Sequence, residues 1–247
     1  MQTEIIAHRG ASKYAPENTM YAFIKALDMR ADAIETDVHL TKDNIPVLMH
    51  DERINRTSNG KGYIRDFTYE QLLHFDLGSW FAPTFAGAKI VTLDEFLSWI
   101  KQTNMRAHIE LKNNKVDYAQ IEPIVYEHIL KHSMQERSIV SSFNFESIQR
   151  FQQMTQSMTL AYLTSNITKK KRQAFENYPT NALHIKQTLL RKRLIRCSKQ
   201  KNIPLRVFTI NKISQMMRCY DLGLKGIFTD VPDVAVNARR NWMTRKD

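Results

Sequence analysis

Eight short runs of apolar and β-branched residues recur along this chain, and helical signals fill most of the gaps between them. The runs are Glu4–Ala7, Ala33–Val38, Arg106–Leu111, Ile139–Ser142, Thr159–Leu163, Ala182–Ile185, Leu205–Phe208 and Gly226–Thr229. Strands alternating with helices argue for parallel βαβ units, because a parallel crossover needs a dozen or more residues. Helices are expected over Asn18–Met29 after Pro16, and from Thr92, where Thr92 and Glu95 form a capping box. Others are expected over Asp117–Lys131, Glu146–Met154, Thr168–Asn177, Leu189–Lys201, Lys212–Leu222 and Pro232–Trp242. Eight such strands make an α/β (β/α)8 TIM barrel, and 247 residues suit one such domain, which needs about 250. The expected organisation is therefore one barrel domain over residues 1–247.

One segment breaks the rhythm. Only Thr41-Lys42-Asp43-Asn44-Ile45 separates the second strand from the apolar run Pro46–Met49, too few residues for a parallel crossover. Pro46–His50 is expected to fold back as the antiparallel arm of a hairpin turning at Asp43-Asn44. That turn pairs Leu40 with Val47 and Asp37 with His50, which delivers His50 beside Asp37. Residues from Asp51 to Ile90 (about 51–90) then form a small insertion after the hairpin. Its short helix opens with a second capping box, Thr68 and Gln71. Its turn residues Asn59-Gly60-Lys61-Gly62 and aromatics Trp80, Phe81 and Phe85 suit a compact cap over one end of the barrel.

Composition narrows the setting. A hydrophobic fraction of 43% with 25% charged residues belongs to a globular chain and not to a disordered one. Cys197 and Cys219, with no CxxC and no Cys/His cluster, supply neither a disulfide framework nor a zinc site, which fits a reducing compartment. The residues MQTEIIAHRG lack the basic region and apolar stretch of a signal peptide. No uncharged apolar run approaches the roughly 18 to 20 residues of a membrane span. A cytoplasmic protein with no stable membrane insertion is expected. The net charge of +11 favours anionic partners. The basic runs Lys169-Lys170-Lys171-Arg172 and Arg191-Lys192-Arg193 lie in helical stretches without interleaved aromatics, so they read as solvated faces. No nucleic-acid partner is expected, and the sequence does not set the oligomeric state.

The chemistry-bearing residues gather at strand ends. Glu35 and Asp37 are two apart on a strand and project from one face. Burying such charges costs on the order of several kcal/mol unless they are paired or bind a metal. On the next barrel strand His108, Glu110 and Lys112 share one face, while Ile109 and Leu111 face the other way. Adjacent strands ending in Glu-x-Asp and Glu-x-Lys bring Glu35, Asp37 and Glu110 together. That is an all-oxygen set suited to one hard divalent cation, Mg2+ or Ca2+. Spacing alone equally allows a structural ion-pair network with Arg9 or Lys112.

The first strand ends in His8-Arg9-Gly10, where Gly10 lets the chain turn sharply. Active sites of (β/α)8 enzymes lie at the C-terminal ends of the strands, where His8, Glu35, Asp37 and Glu110 all fall. Arg9 offers a planar fork for phosphate oxygens, and His8 and His50 exchange protons near neutral pH. Asp51 reads as a partner of a histidine or as a cap for the loop that follows. Phe143, after the fourth strand, reads as a wall of a substrate pocket. His39, His74, His128 and His132 read as solvated or structural, His108 as core filling, and His184 as a minor candidate facing the mouth.

The ordered series His8-Arg9-Gly10, Pro16-Glu17-Asn18-Thr19, Glu35-Thr36-Asp37-Val38 and His50-Asp51 resembles the glycerophosphodiester phosphodiesterase family. Arg56-Thr57 with Asn59-Gly60, Gly78-Ser79-Trp80-Phe81 and Glu110-Leu111-Lys112 extend the resemblance. So do Ser141-Ser142-Phe143, Thr209-Ile210-Asn211 and the stretch from Gly226 to Pro232. The resemblance implies metal-dependent hydrolysis of diesters such as glycerophosphocholine and glycerophosphoethanolamine to glycerol 3-phosphate and an alcohol. It implies metal binding by Glu35, Asp37 and Glu110, acid–base catalysis by His8 and His50, and phosphate binding by Arg9 and Lys112. Phe208 stands where the family commonly has tryptophan, which keeps an apolar substrate wall and removes an indole N–H. Rival readings are phospholipase D-like action on lysophospholipids and a non-enzymatic barrel that binds phosphate or lipid headgroups.

Overall fold

The computed structural model describes residues 2–166, 168 and 181–245. Eight parallel strands close into a barrel: β1 (Glu4–His8), β2 (Ala33–Leu40), β4 (Arg106–Leu111), β5 (Ser138–Ser142), β6 (Thr159–Thr164), β7 (Ala182–Lys186), β8 (Leu205–Phe208) and β9 (Gly226–Thr229). Each pairs in parallel with its neighbour, and β1 pairs with both β9 and β2 to seal the ring. Among the described residues the helices are α1 (Met20–Asp28), α2 (Tyr69–Leu72), α3 (Leu93–Ile100), α4 (Ile121–Lys131), α5 (Phe145–Met154), α6 (Lys192–Gln200), α7 (Ile213–Asp221) and α8 (Pro232–Met243). This is the (β/α)8 barrel expected from the alternation.

Period-two alternation divides the strands into two faces. One face is apolar: Ile34, Val38, Ala107, Ile109, Leu111 and Val140 pack with α1 and α3–α5, and Ile5, Ile185, Val207 and Ile227 pack with α6–α8. The other face turns inward and is mixed. Ile6, Ala33 and Phe228 form one small interior cluster, and Ile139, Ala161 and Ala182 another. Glu4 and Arg206 are buried beside them, with Arg206 Nε donating to Glu4 Oε2 at 2.9 Å.

Three expected helices begin later than their sequence patterns, each for a backbone reason. Asn18 is left-handed (φ 57°), and Thr19 caps α1 by accepting from the Ala22 N–H. Gln120 is left-handed before α4 (φ 69°). A 3-10 turn at Gln187–Leu189 and an extended Arg191 precede α6. The basic run at Arg191–Arg193 is exposed. Apart from Thr168, the helix expected over Thr168–Asn177 and the basic run from Lys169 to Arg172 lie outside the described residues.

The hairpin forms, one residue out of the expected register. β3 (Pro46–Leu48) is antiparallel to the end of β2, with Leu40 opposite Pro46, His39 opposite Val47 and Val38 opposite Leu48. The Thr41 N–H donates to Ile45 O at 3.1 Å, and its Oγ1 accepts from the Ile45 N–H at 2.9 Å. Those two bonds, with left-handed Asn44 (φ 61°), close a tighter loop and draw Pro46 into the ladder, where proline is tolerated at a strand start. Asp37 therefore bonds Met49, whose N–H donates to Asp37 O at 3.0 Å, and not His50.

After β3 the insertion builds its own apolar cluster from Ile54, Ile64, Leu72, Leu77 and Ile90 against Val47 and Met49. Both sequence-read capping boxes, Thr68/Gln71 and Thr92/Glu95, are present. The insertion's aromatics run from Trp80 through Phe81 to Phe85, which meets Tyr21 of α1 edge-on at 5.3 Å. On the other side of α1, Gly10 (φ 82°) packs so closely that a Cβ there would stand 2.7 Å from Ala22 Cβ. Both the left-handed backbone and the clash exclude a side chain at this turn.

Candidate active site

The C-terminal ends of three adjacent strands deliver one polar cluster. β1 ends at His8, β2 carries Glu35 and Asp37, and β4 carries Glu110, with Lys112 just beyond. His8 is in register with Glu35, and Asp37 with Glu110. One oxygen from each of Glu35, Asp37 and Glu110 lies within 4.8 Å of the other two, and all three residues are buried.

Two cations share this space. Lys112 Nζ donates to Glu110 Oε1 at 2.8 Å and stands 3.4 Å from Asp37 Oδ1. Arg9 Nε stands 3.5 Å from Asp37 Oδ2, and the Arg9 backbone N–H donates to Glu35 Oε2 at 2.9 Å. Asn18 Nδ2 donates to Asp37 Oδ2 at 2.9 Å, and Thr36 Oγ1 anchors Asn18 from behind at 2.7 Å. Burial pushes the Asp37 carboxyl up, but Lys112 and Arg9 outweigh it and hold Asp37 below the usual carboxylate range. For Glu35 the charge and backbone N–H of Arg9 do not suffice. Burial, then the charges of Asp37 and Glu110, push its carboxyl well above the ordinary range. An all-oxygen set still short of positive charge fits a hard divalent cation.

Each of the two candidate histidines has its own carboxylate. His8 Nδ1 lies 2.7 Å from Asp230 Oδ1, and His50 Nδ1 lies 2.7 Å from Asp51 Oδ1. A ring nitrogen facing a carboxylate carries a proton, which leaves Nε2 of each ring as the atom that takes or gives one. Asp230 is itself fixed by Asn211 Nδ2 at 2.6 Å and Ser12 Oγ at 3.2 Å. Burial raises the Asp230 carboxyl, and the hydrogen bond and charge of His8 outweigh that, so it stays below its ordinary value. A chain of ion pairs ties the His50–Asp51 pair to Arg9. Arg9 Nη1 donates to Glu17 Oε1 at 2.9 Å, and Arg56 Nη1 and Nη2 donate to Glu17 at 2.8 and 2.7 Å. Arg56 Nε then donates to Asp51 Oδ2 at 2.7 Å.

These residues surround a cavity of about 150 Å³ whose lining includes His8, Arg9, Glu35, His50 and Glu110, with Phe143 and Phe208 as apolar walls. The two rings meet edge to face at 6.1 Å. Asp37 and Lys112 sit behind this lining, 1% and 6% exposed, so Lys112 serves here as a counter-charge among the carboxylates. His50 borders the cavity from beyond the end of β3, one residue past the Met49 N–H bond to Asp37 O.

The sequence pointed to His8, Arg9, His50 and the carboxylates, and left Asp51 open between two roles. It missed Asp230, Glu17, Asn18 and Arg56 as partners, although all four lie inside the motifs that carried the resemblance. The other histidines are exposed, held by another group or buried. His74 is exposed, His128 Nδ1 lies 2.9 Å from Ile124 O, and His132 Nε2 lies 2.9 Å from Asp94. His108 is fully buried in the barrel, 3.5 Å from Glu4.

His39 holds the loop at His50: its Nδ1 lies 3.0 Å from the Tyr118 hydroxyl and its Nε2 3.3 Å from His50 O. Burial pushes the His39 imidazole down to about 4 from its ordinary 6.5. The unfolded chain takes up a proton between those values that the folded chain refuses, so stability is complete above pH 6.5 and is lost as the pH falls toward 4. At full extent the loss is about 3 kcal/mol. Urea midpoints of wild type and His39→Asn at pH 7 and pH 4.5 check this. The variant loses less on acidification, and equal losses contradict the assignment. The comparison also cancels Glu35, whose raised carboxyl acts in the opposite direction.

The description of the glycerophosphoryl diester phosphodiesterase family matches residues 8–234. A glycerophosphodiester phosphodiesterase of Bacillus altitudinis is 38% identical over 96% of this chain and 98% of its own length. That of Caldanaerobacter subterraneus subsp. tengcongensis is 35% identical over 97% and 99%. Among solved structures, an Oleispira antarctica phosphodiesterase in complex with the product sn-glycerol-3-phosphate superposes with a TM-score of 0.88. It is 29% identical, with 96% of each chain covered.

Proposed function

The chain belongs to the glycerophosphoryl diester phosphodiesterase family, and on that premise we propose that it hydrolyses glycerophosphodiesters to glycerol 3-phosphate and an alcohol with the help of one divalent cation. The observation that carries this reading is the convergence of two histidine–carboxylate pairs on a cavity bordered by three buried carboxylates. The product held by the Oleispira antarctica relative supports the choice of substrate.

Glu35, Asp37 and Glu110 would hold the cation, Mg2+ or Ca2+, whose contribution when bound is to stabilise charge developing on the phosphoryl oxygens. Arg9 borders the cavity with an Nε that has no hydrogen-bond partner among the described residues and only the 3.5 Å ion pair with Asp37, and it takes non-bridging oxygens through its guanidinium. Lys112 adds positive charge from behind the carboxylates. The attacking hydroxyl, from water or from glycerol C2, gives its proton to Nε2 of one imidazole as its oxygen bonds to phosphorus. The bond from phosphorus to the leaving oxygen breaks, and that oxygen takes a proton from Nε2 of the other imidazole, which enters the step as the imidazolium. Attack by the 2-hydroxyl gives a cyclic phosphate, which water then opens with the two histidines in exchanged roles. Phe143 and Phe208 provide apolar walls for the carbon chain.

The insertion over residues 51–90 acts as a cap on the single barrel domain, with Arg56 as its tie to the mouth. Among the described residues no helix is long and apolar enough to cross a membrane. The two cysteines are free, in keeping with work in the cytoplasm on a small soluble substrate.

Product analysis after incubation with glycerophosphocholine or glycerophosphoethanolamine tests the reading. Glycerol 3-phosphate and the free alcohol are expected. Release of phosphocholine and glycerol, or turnover of lysophosphatidylcholine alone, overturns it, and no turnover of any diester by the folded protein favours a binding barrel.

A further inference from the structure

The cavity is graded from a half-buried rim to a sealed end. His8, His50, Phe143 and Phe208 at the rim are partly exposed, whereas Leu163, Phe228 and His184 are 5%, 3% and 0% exposed. Leu163 and Phe228 are apolar, and His184 of β7 stands with Ser141, Glu35 and Glu110 among the buried polar groups of the lining. Neither of the His184 ring nitrogens has a hydrogen-bond partner among the described residues, although both are buried. Its ring is held by packing alone, edge-on to Phe228 at 5.0 Å and beside His108 at 5.6 Å.

A buried imidazole with both nitrogens unmet is costly unless something else satisfies it. Burial, Arg206 and His108 push the His184 imidazolium well below its ordinary range, so the ring is neutral and offers one donor and one acceptor. A neutral ring recognises a hydroxyl, which both donates and accepts, and gives an anion little reason to leave Arg9. The two arms of the diester differ in the same sense. Glycerol is small, constant and hydroxyl-bearing, whereas the alcohol varies in size and needs the open side.

We infer that His184 binds a hydroxyl of the substrate's glycerol arm at the closed end of the cavity, and so orients the diester with its exchangeable alcohol toward solvent. The inference rests on the phosphodiesterase reading, since it specifies which arm of that substrate lies inward.

The test compares glycerophosphocholine with bis(p-nitrophenyl) phosphate, a diester without glycerol, in wild type, His184→Phe and His184→Asn. His184→Phe is expected to lower kcat/KM for glycerophosphocholine by roughly 10- to 100-fold, chiefly through KM. Turnover of bis(p-nitrophenyl) phosphate changes less than about twofold. His184→Asn, which keeps a donor and an acceptor, recovers part of the loss. Where the phenylalanine variant does not fold, His184→Leu carries the same expectation. Equal losses on both substrates, or none on either, overturn the inference. Wild type that hydrolyses bis(p-nitrophenyl) phosphate but no glycerophosphodiester overturns the substrate assignment itself, and that result is read without any variant.

Discussion

Replacing either His8 or His50 by alanine is expected to lower kcat/KM for glycerophosphocholine by about 10³-fold, with the double variant little worse than the poorer single one. The expectation comes from the paired geometry. Each imidazole is fixed through Nδ1 by one carboxylate at 2.7 Å, and each borders the same cavity. Proton removal and proton delivery belong to one displacement, so losing either partner stalls the same step and the losses do not multiply. Asp230→Asn and Asp51→Asn keep the imidazoles but remove the groups that fix their tautomers, and each is expected to cost less than its histidine. Asp51 also carries Arg56, so Asp51→Asn loosens the tie to Glu17 and Arg9 as well. Steady-state kinetics on the five variants check the order. Multiplicative losses in the double variant, or an aspartate variant worse than its histidine variant, contradict the paired arrangement.

Glu35→Gln is expected to lower turnover by about 10³-fold and, at neutral pH in EDTA, to raise thermal stability. The two effects have one source. Glu35 is buried between Asp37 and Glu110, and its carboxyl is driven up by burial and by their charges. Without a cation, the ionised carboxylate opposes folding, and a neutral amide of the same shape relieves that opposition while still accepting the Arg9 N–H. With a cation, the same charge is what the site needs. Melting curves with EDTA and with Mg2+ or Ca2+ show the crossover: the variant melts higher without metal, and wild type gains more on metal addition. Loss of stability in EDTA would mean that Glu35 is a structural ion-pair partner, the alternative that its spacing left open.

The barrel was legible because its strands alternate every second residue and several of its helices open on capping residues. The strands at Arg106–Leu111, Leu205–Phe208 and Gly226–Thr229 have the bounds read from sequence. The capping boxes at Thr68 and Thr92 form as written. The hairpin register was less legible, since it turns on the Thr41 side chain and one left-handed asparagine, and a single residue of slip moves every side chain to the other face. His50 enters the cavity all the same, past the end of its strand.

The side chains of the candidate site stood at or just past strand ends, where pattern could point to them. Their partners did not. Asp230 meets His8 from 222 residues away, and Arg56 meets Glu17 from 39, distances that only barrel closure and the path of the insertion can bridge. His184 looked minor because the sequence gives no sign that a strand histidine will be left without a partner at the end of a cavity.

On the proposed reading, three buried carboxylates and two oriented histidines make one metal-dependent diesterase site. Its most direct test is glycerol 3-phosphate release from glycerophosphocholine by wild type, measured before EDTA, after EDTA, and after Mg2+ or Ca2+ is restored. Release that stops with EDTA and returns with the metal is the predicted result. Release that continues undiminished in EDTA would contradict the claim and leave Glu35, Asp37 and Glu110 as a structural ion-pair network around Arg9 and Lys112.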